Sequence, residues 1–337
     1  MVIEDRIKAF DKLGKFLIDF CDETSNSNHP LENIIKSSIS YNGWFTSNNI
    51  RCSISAICNN LSSIKLFSWI SSYSIPVKVK KNVSIIMAGN IPLVGFNDFL
   101  CVLISGHRSI IKLSSKDNRL FSPIIEELIK IEPRFEDDIK IVEKVENFDA
   151  VIATGSNESF KYFEYYFKDY PTLLRKSRTS VAILTGEESL DERKALANDI
   201  FLYYGLGCRN VTKLYVPKNY DLNLLFEVFF EYQDVILNNK YANNYDYYRA
   251  IYMMSNHNIL ENGFIILKED KALHSPVSVL NYEYYDEKES LAIQLNKLKE
   301  DIQCIVGKDY ISFGKAQQPN LDDYADGVDT LRFLETI

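Results

Sequence analysis

Across residues 7–20 apolar side chains recur every three or four positions, at Ile7, Phe10, Leu13, Leu17 and Phe20, which predicts a helix with one buried stripe. A second stripe, Ile50, Ile54, Ile57 and Leu61, follows Asn42-Gly43-Trp44-Phe45-Thr46, where Thr46 or Ser47 offers a cap. Residues 1 to 80 are therefore expected to be mainly helical. From Val77 the period shortens. Val83-Ser84-Ile85-Ile86-Met87 is a β-rich run ending in Ala88-Gly89-Asn90-Ile91-Pro92, and a helix is expected over 94–104. Short strands follow at 109–114, 139–142, 150–153 and 180–184, with an amphipathic helix over 121–131. This alternation predicts a doubly wound α/β sheet, a fold that binds ligands at the carboxyl ends of its strands. Apolar runs at 263–267, 277–280 and 302–306, with a helix over 287–299, predict a second α/β lobe.

Several polar residues interrupt this pattern where chemistry would sit. Leu196, Ile200, Phe201 and Tyr204 mark a helix that Gly205 and Gly207 should stop, both glycines being free to take positive φ. Cys208 comes next, on a tight loop before the strand marked by Val211, Leu214 and Val216. It reads either as a small buried hydrophobe or as a thiol placed to meet a substrate. Asn90 is a turn former or an amide donor to a developing oxyanion. Lys112 either snorkels to the surface or reaches an anionic or polyhydroxyl ligand at the sheet edge. Thr154-Gly155-Ser156 suits a phosphate at a helix N-terminus, and equally an ordinary cap at Ser156.

Composition narrows the classes. The chain has 337 residues, 46% hydrophobic and 25% charged, with a net charge of −8 and no Lys/Arg clusters, which argues for a soluble protein without nucleic acid as a partner. No apolar run is long enough for a membrane span, and the start Met1-Val2-Ile3-Glu4-Asp5-Arg6 lacks a signal peptide's order, so a cytoplasmic location is expected. The six cysteines and four histidines have no metal-type spacing, so no metal site is expected. Dense Tyr and Phe at 160–170, 226–232 and 241–252 read as packing and interface residues first, and as a substrate wall second.

Ala88-Gly89-Asn90-Ile91-Pro92, the run from Gly106 to Lys112, Thr154-Gly155-Ser156, Leu184-Thr185-Gly186 and Gly205-Leu206-Gly207-Cys208 occur in an order that resembles the aldehyde dehydrogenase superfamily. With Tyr324-Ala325-Asp326-Gly327-Val328-Asp329, the chain is similar to its acyl-CoA reductase branch, which includes the fatty-acid reductase component of bacterial luminescence systems. The fold implied is aldehyde-dehydrogenase-like, two doubly wound α/β lobes with an N-terminal helical segment. The expected division is 1–80 helical, 81–186 cofactor-binding, 187–306 catalytic with the nucleophile loop, and 307–337 packing back with an oligomer contact.

The resemblance implies NAD(P)H-dependent reduction of an acyl-CoA, most simply a fatty acyl-CoA, to the aldehyde. Cys208 matches the nucleophile and Asn90 the oxyanion donor. Lys112 matches the lysine near the adenosine ribose, Thr154-Gly155-Ser156 the turn near the pyrophosphate, and His274 falls near the nicotinamide. NADPH is the cofactor implied, with NADH the alternative. At least a dimer is implied, and an acyl-transferring partner enzyme fits the same systems. Two departures are expected to matter. Leu184 stands where hydrolytic relatives carry a water-activating glutamate, and Ala272 stands where they carry the glutamate that holds the nicotinamide ribose. Reduction of a carrier-protein thioester or an acyl phosphate, and a non-catalytic subunit that keeps the fold, are the other readings.

Overall fold

Charged first turns, apolar stripes and hydroxyl caps produce the helices where the periodicity places them. The computed structural model describes residues 1–22 and 28–337. Two compact units divide the chain, Met1–Ser177 with Asn320–Ile337, and Arg178–Pro319.

In the first unit α1 (Ile3–Ile18) buries Ile7, Phe10, Leu13 and Leu17, and Phe20 is buried just past its end. α2 (Pro30–Ser37), α3 (Ser47–Cys58) and α4 (Ser63–Ile70) complete the helical segment, and Thr46 caps α3 by accepting the Asn49 N–H at 3.2 Å. Phe10 meets Phe99 and Phe135 edge-on, which ties α1 to the sheet layer. That layer contains β1 (Asn82–Ile86), α5 (Phe96–Ser105), β2 (Arg108–Lys112), α6 (Phe121–Ile131), β3 (Ile139–Ile141), β4 (Ala150–Thr154), α7 (Asn157–Tyr166) and β5 (Thr172–Arg175). Among the described residues the strands form one parallel sheet in the order β3-β2-β1-β4-β5. The order reverses between β1 and β4, and a crevice opens at the carboxyl ends of such a switch point.

The last helix, Thr330–Thr336, belongs to this unit and buries Leu331 and Leu334 in the same core. Arg175 forks onto Asp98 at 2.8 and 3.0 Å and donates to Thr330 Oγ1 at 2.8 Å, all three side chains being buried. The aromatic residues of α7 pack only in part, Phe163 meeting Phe167 with ring centroids 6.1 Å apart. None of its residues is buried, and Tyr162, Tyr165 and Tyr166 are exposed, because only one side of this short helix meets the sheet.

The second unit contains β6 (Thr179–Ile183), α8 (Leu190–Phe201), β7 (Val211–Pro217), α9 (Asn223–Phe229), α10 (Asn239–Met254), β8 (Ile259–Glu261), β9 (Ile266–Glu269), β10 (Val279–Tyr285), α11 (Lys288–Lys297) and β11 (Ile302–Val306). The described strands order as β11-β6-β7-β10-β9-β8, parallel except for the β8–β9 pair. β6 pairs with β7 and β11, which assigns residues 178–186 to this unit rather than to the lobe expected over 81–186. An apolar run specifies a buried strand but not its neighbours, so its own sequence does not carry that assignment. No helix among the described residues is long and apolar enough to cross a membrane.

Candidate active site

The carboxyl edge of the first sheet gathers five of the residues singled out from sequence. β1 runs out into the loop that carries Asn90, which is exposed. This loop is fixed from three directions. Met87 N–H donates to Lys112 O at 3.0 Å, Ser53 Oγ to Pro92 O at 2.7 Å, and Leu93 N–H to Asp117 Oδ2 at 2.7 Å. Leu93 is left-handed at φ 57°, so the helix begins at Phe96, two residues later than its apolar pattern suggests. Burial pushes the Asp117 carboxyl up to about 6, and the Leu93 N–H offsets only part of that rise.

Lys112 and Ala153 flank Ile86 in register, one on each side of β1. Lys112 Nζ donates to Glu143 O at 2.6 Å, an exposed hydrogen bond that holds the ammonium at the strand end within reach of solvent. Beyond β4, Gly155 N–H donates to Arg175 O at 3.3 Å. A Cβ on Gly155 would lie 2.9 Å from both Phe163 Cε2 and Ser159 Cβ, so only glycine lets α7 approach the turn this closely. Ser156 Oγ accepts the Ser159 N–H at 3.2 Å and is the N-cap of α7. Asn90, Lys112, Thr154, Gly155 and Ser156 thus stand along one edge, around the switch point.

Cys208 lies in the second unit, in the turn between the 3-10 segment Leu202–Gly205 and β7, and is half-buried. Gly205 takes φ 75° as its position predicts, but Gly207 does not take a positive φ. Tyr203 and Tyr204 do, at φ 55° and 57°, a conformation uncommon for bulky side chains. The chain therefore reverses one step before the glycines. Asn210, fully buried, closes the turn. Its Oδ1 accepts the Gly207 N–H at 2.8 Å, and its backbone N–H donates to Gly207 O at 3.0 Å. Its Nδ2 faces three carbonyls at the end of α8, Asp199 O at 3.0 Å, Ile200 O at 3.3 Å and Leu202 O at 2.8 Å. Ser180 Oγ donates to Cys208 O at 2.9 Å and accepts the Cys304 N–H at 3.2 Å.

The Cys208 turn stands at the amino edge of the second sheet, where β6, β7 and β11 begin. His274 belongs to the same edge. It is exposed on the segment leading into β10, and this segment is fastened to β7 and β10 through Thr212 Oγ1 to Leu273 O at 2.8 Å and Asn281 Nδ2 to Ala272 O at 3.0 Å. Ser275, Pro276 and Val277 share with Tyr204 and Gly205 the wall of a void of about 20 Å³, room for about one water.

Leu184 does not lie beside Cys208. Ser180, at the amino end of β6, holds the cysteine carbonyl, whereas Leu184 follows the other end of the strand. Four residues of strand span roughly 13 Å. The turn after it is closed by Glu188, which accepts from Thr185 Oγ1 at 2.8 Å and from Gly186 N–H at 3.1 Å. The comparison with hydrolytic relatives therefore falls on the residues entering β6, and no carboxylate occurs from Tyr170 to Gly186.

Sequence reading missed Ser180 and Asn210. The available signal was an asparagine two residues after the cysteine and just before an apolar strand, where a buried amide has to find partners.

A model of the acyl-CoA reductase (LuxC) family matches residues 13–229, more than half of the chain. No curated protein matches it in sequence. Among solved structures, aldehyde dehydrogenase 21 from Physcomitrella patens in complex with the reaction product succinate superposes with a TM-score of 0.69 at 13% identity, over 91% of this chain and 73% of that one. The indole-3-acetaldehyde dehydrogenase AldA of P. syringae, bound to NAD+, gives 0.67 at 14% identity over 91% and 72%. An aldehyde dehydrogenase from Bacillus cereus in complex with NAD+ gives 0.61 at 12% identity over 91% and 72%. At such identities the likeness is one of fold. With the family match beside it, the chain belongs to the acyl-CoA reductase (LuxC) family and is an oxidoreductase of acyl groups and aldehydes built on the aldehyde dehydrogenase fold.

Proposed function

We propose that this protein reduces an acyl-CoA, a fatty acyl-CoA in the simplest case, to the aldehyde through an acyl-cysteine on Cys208, with NADPH as the reductant. The observation that carries the reading is the Cys208 turn, half-buried and pinned by Asn210 and Ser180 in a chain of the acyl-CoA reductase family.

Cys208 Sγ, as thiolate, attacks the acyl carbonyl carbon. The new C–S bond forms as the bond to the CoA sulfur breaks, and CoA leaves as its thiolate. Asn90 and the Cys208 N–H are the proposed donors to the tetrahedral oxyanion. The nicotinamide, when bound, supplies the hydride that turns the acyl-cysteine into a thiohemiacetal. Collapse of that adduct releases the aldehyde and returns the Cys208 thiolate. Hydrolysis would need a base to activate water, and the absence of a carboxylate from Tyr170 to Gly186 supports transfer between thioesters instead.

The carboxyl edge of the first sheet fits a dinucleotide. Gly155 lets the N-terminus of α7 sit close to the turn, Lys112 gives a cation at the end of β2, and the strand order puts a switch point between them. Glu158 in the first turn of α7 works against a pyrophosphate at that helix end. His274 is proposed to lie by the nicotinamide, with no carboxylate at Ala272 to hold the ribose. The chain is proposed to work as at least a dimer and to receive acyl groups from a transferring partner enzyme.

Intact-mass measurement after mixing with octanoyl-CoA or tetradecanoyl-CoA, without nicotinamide, tests the reading. It expects a mass increase equal to the acyl group, absent in Cys208→Ala and discharged by NADPH as aldehyde appears. Aldehyde production by Cys208→Ala, or an adduct formed only from a carrier-protein thioester or an acyl phosphate, overturns it.

A further inference from the structure

The backbone on both sides of Cys208 is held by two buried side chains, Ser180 and Asn210. The peptide joining Gly207 to Cys208 is trans, so its C=O and N–H point to opposite sides of one plane. Gly207 O is turned inward, where it accepts the Asn210 N–H at 3.0 Å, and the Gly207 N–H is taken by Asn210 Oδ1 at 2.8 Å. The Cys208 N–H consequently lies on the opposite side of this peptide plane from Gly207 O. The next peptide is fixed in the same way, because Cys208 O accepts from Ser180 Oγ at 2.9 Å.

Neither holding residue is loose. Ser180 and Asn210 are both fully buried, and their backbones pair through Ser180 N–H to Asn210 O at 3.3 Å. Asn210 Nδ2 also ties down the carbonyls of Asp199, Ile200 and Leu202, next to the left-handed Tyr203 and Tyr204. A reversal made by two tyrosines at positive φ persists only where surrounding contacts over-determine it.

From this geometry we infer that Ser180 and Asn210 are positioning residues that aim the Cys208 N–H at the oxyanion of the acyl-transfer step. The inference rests on the reading of Cys208 as the nucleophile. It separates two properties of one residue, since the thiol can be reactive while its amide is misdirected. Attack on a carbonyl builds an oxyanion and needs the amide, whereas attack of the same sulfur on the CH2 of iodoacetamide builds none.

The test compares these two reactions in the full-length protein at one pH. Rates of Cys208 acylation by p-nitrophenyl octanoate and by octanoyl-CoA are each divided by the rate of its alkylation by iodoacetamide, for wild type, Ser180→Ala, Ser180→Thr and Asn210→Asp. Ser180→Ala is expected to lower the ratio about tenfold or more, and Ser180→Thr, which keeps the hydroxyl, to restore most of it. Asn210→Asp keeps Oδ1 but loses the Nδ2 donors, and supplies the same comparison should Ser180→Ala fail to fold. An unchanged ratio in a folded variant overturns the inference and leaves the nucleophile standing. Wild type acylated by the ester but not by the CoA thioester overturns the proposed substrate instead, while the ratio still reads the clamp. Wild type acylated by neither overturns both.

Discussion

Asp199, fully buried on α8, accepts the backbone N–H of Gly314 at 2.6 Å and, through its other oxygen, that of Ala316 at 3.1 Å. One carboxyl thus fastens the loop after β11 to the helix that delivers the Cys208 turn. Burial pushes its pKa up to about 7, although both N–H donors oppose the rise.

An aspartate in an unfolded chain ionises near pH 4, so the folded protein holds this proton more tightly. The stability Asp199 contributes is complete below about pH 4 and is lost as pH rises through about 7. Asp117, pushed up to about 6, acts in the same direction over a narrower window. Thermal midpoints of wild type and Asp199→Asn from pH 4 to 8 check this. The variant, which cannot titrate, is expected to gain on the wild type as pH rises, and a constant difference between the two would exclude the effect.

Asn90→Ala is expected to slow aldehyde formation by about a hundredfold, the effect of one missing oxyanion donor. Because the loop is held by Ser53, Lys112 and Asp117, its fold should survive. Alkylation of Cys208 by iodoacetamide should proceed at the wild-type rate. A loss below threefold in single-turnover measurement would remove Asn90 from the oxyanion role.

Gly155→Ala places a methyl 2.9 Å from Phe163 and Ser159, and α7 must retreat to make room. Overpacking of this kind costs about 1–3 kcal/mol. The displaced turn is expected to weaken NADPH binding by tenfold or more, measured by nicotinamide fluorescence. Acyl loading of Cys208 without nicotinamide should be unaltered, and unchanged NADPH affinity would argue that the dinucleotide does not use this turn.

Asp98→Ala would leave the Arg175 guanidinium buried without its carboxylate. Breaking a buried pair by removing one partner costs about 3–5 kcal/mol. Urea unfolding should report a loss of that size, and the latch from Arg175 to Thr330 should loosen the final helix. A loss under 1 kcal/mol would mean that water reaches Arg175 freely.

The sequence by itself determined helix or strand where a period of 3.6 or 2 is written in a single segment, as at Ile7, Phe10, Leu13 and Leu17 or Val83 to Met87, but not in aromatic-dense stretches such as α7 and α10. It also singled out Cys208, Asn90 and Gly155, each in a tight turn between a helical and a strand pattern. Tertiary structure alone decided what each strand lies beside. β6 has an apolar run that would suit either sheet, and its pairing with β7 and β11 carries Ser180 to the Cys208 carbonyl while leaving Leu184 at the far end. It also decided which backbone turns left-handed. Gly207 looked the freer residue, yet Tyr203 and Tyr204 make the reversal because Asn210 satisfies the carbonyls around them. Local propensity describes what a residue can do cheaply, whereas hydrogen bonds between distant segments determine what it does.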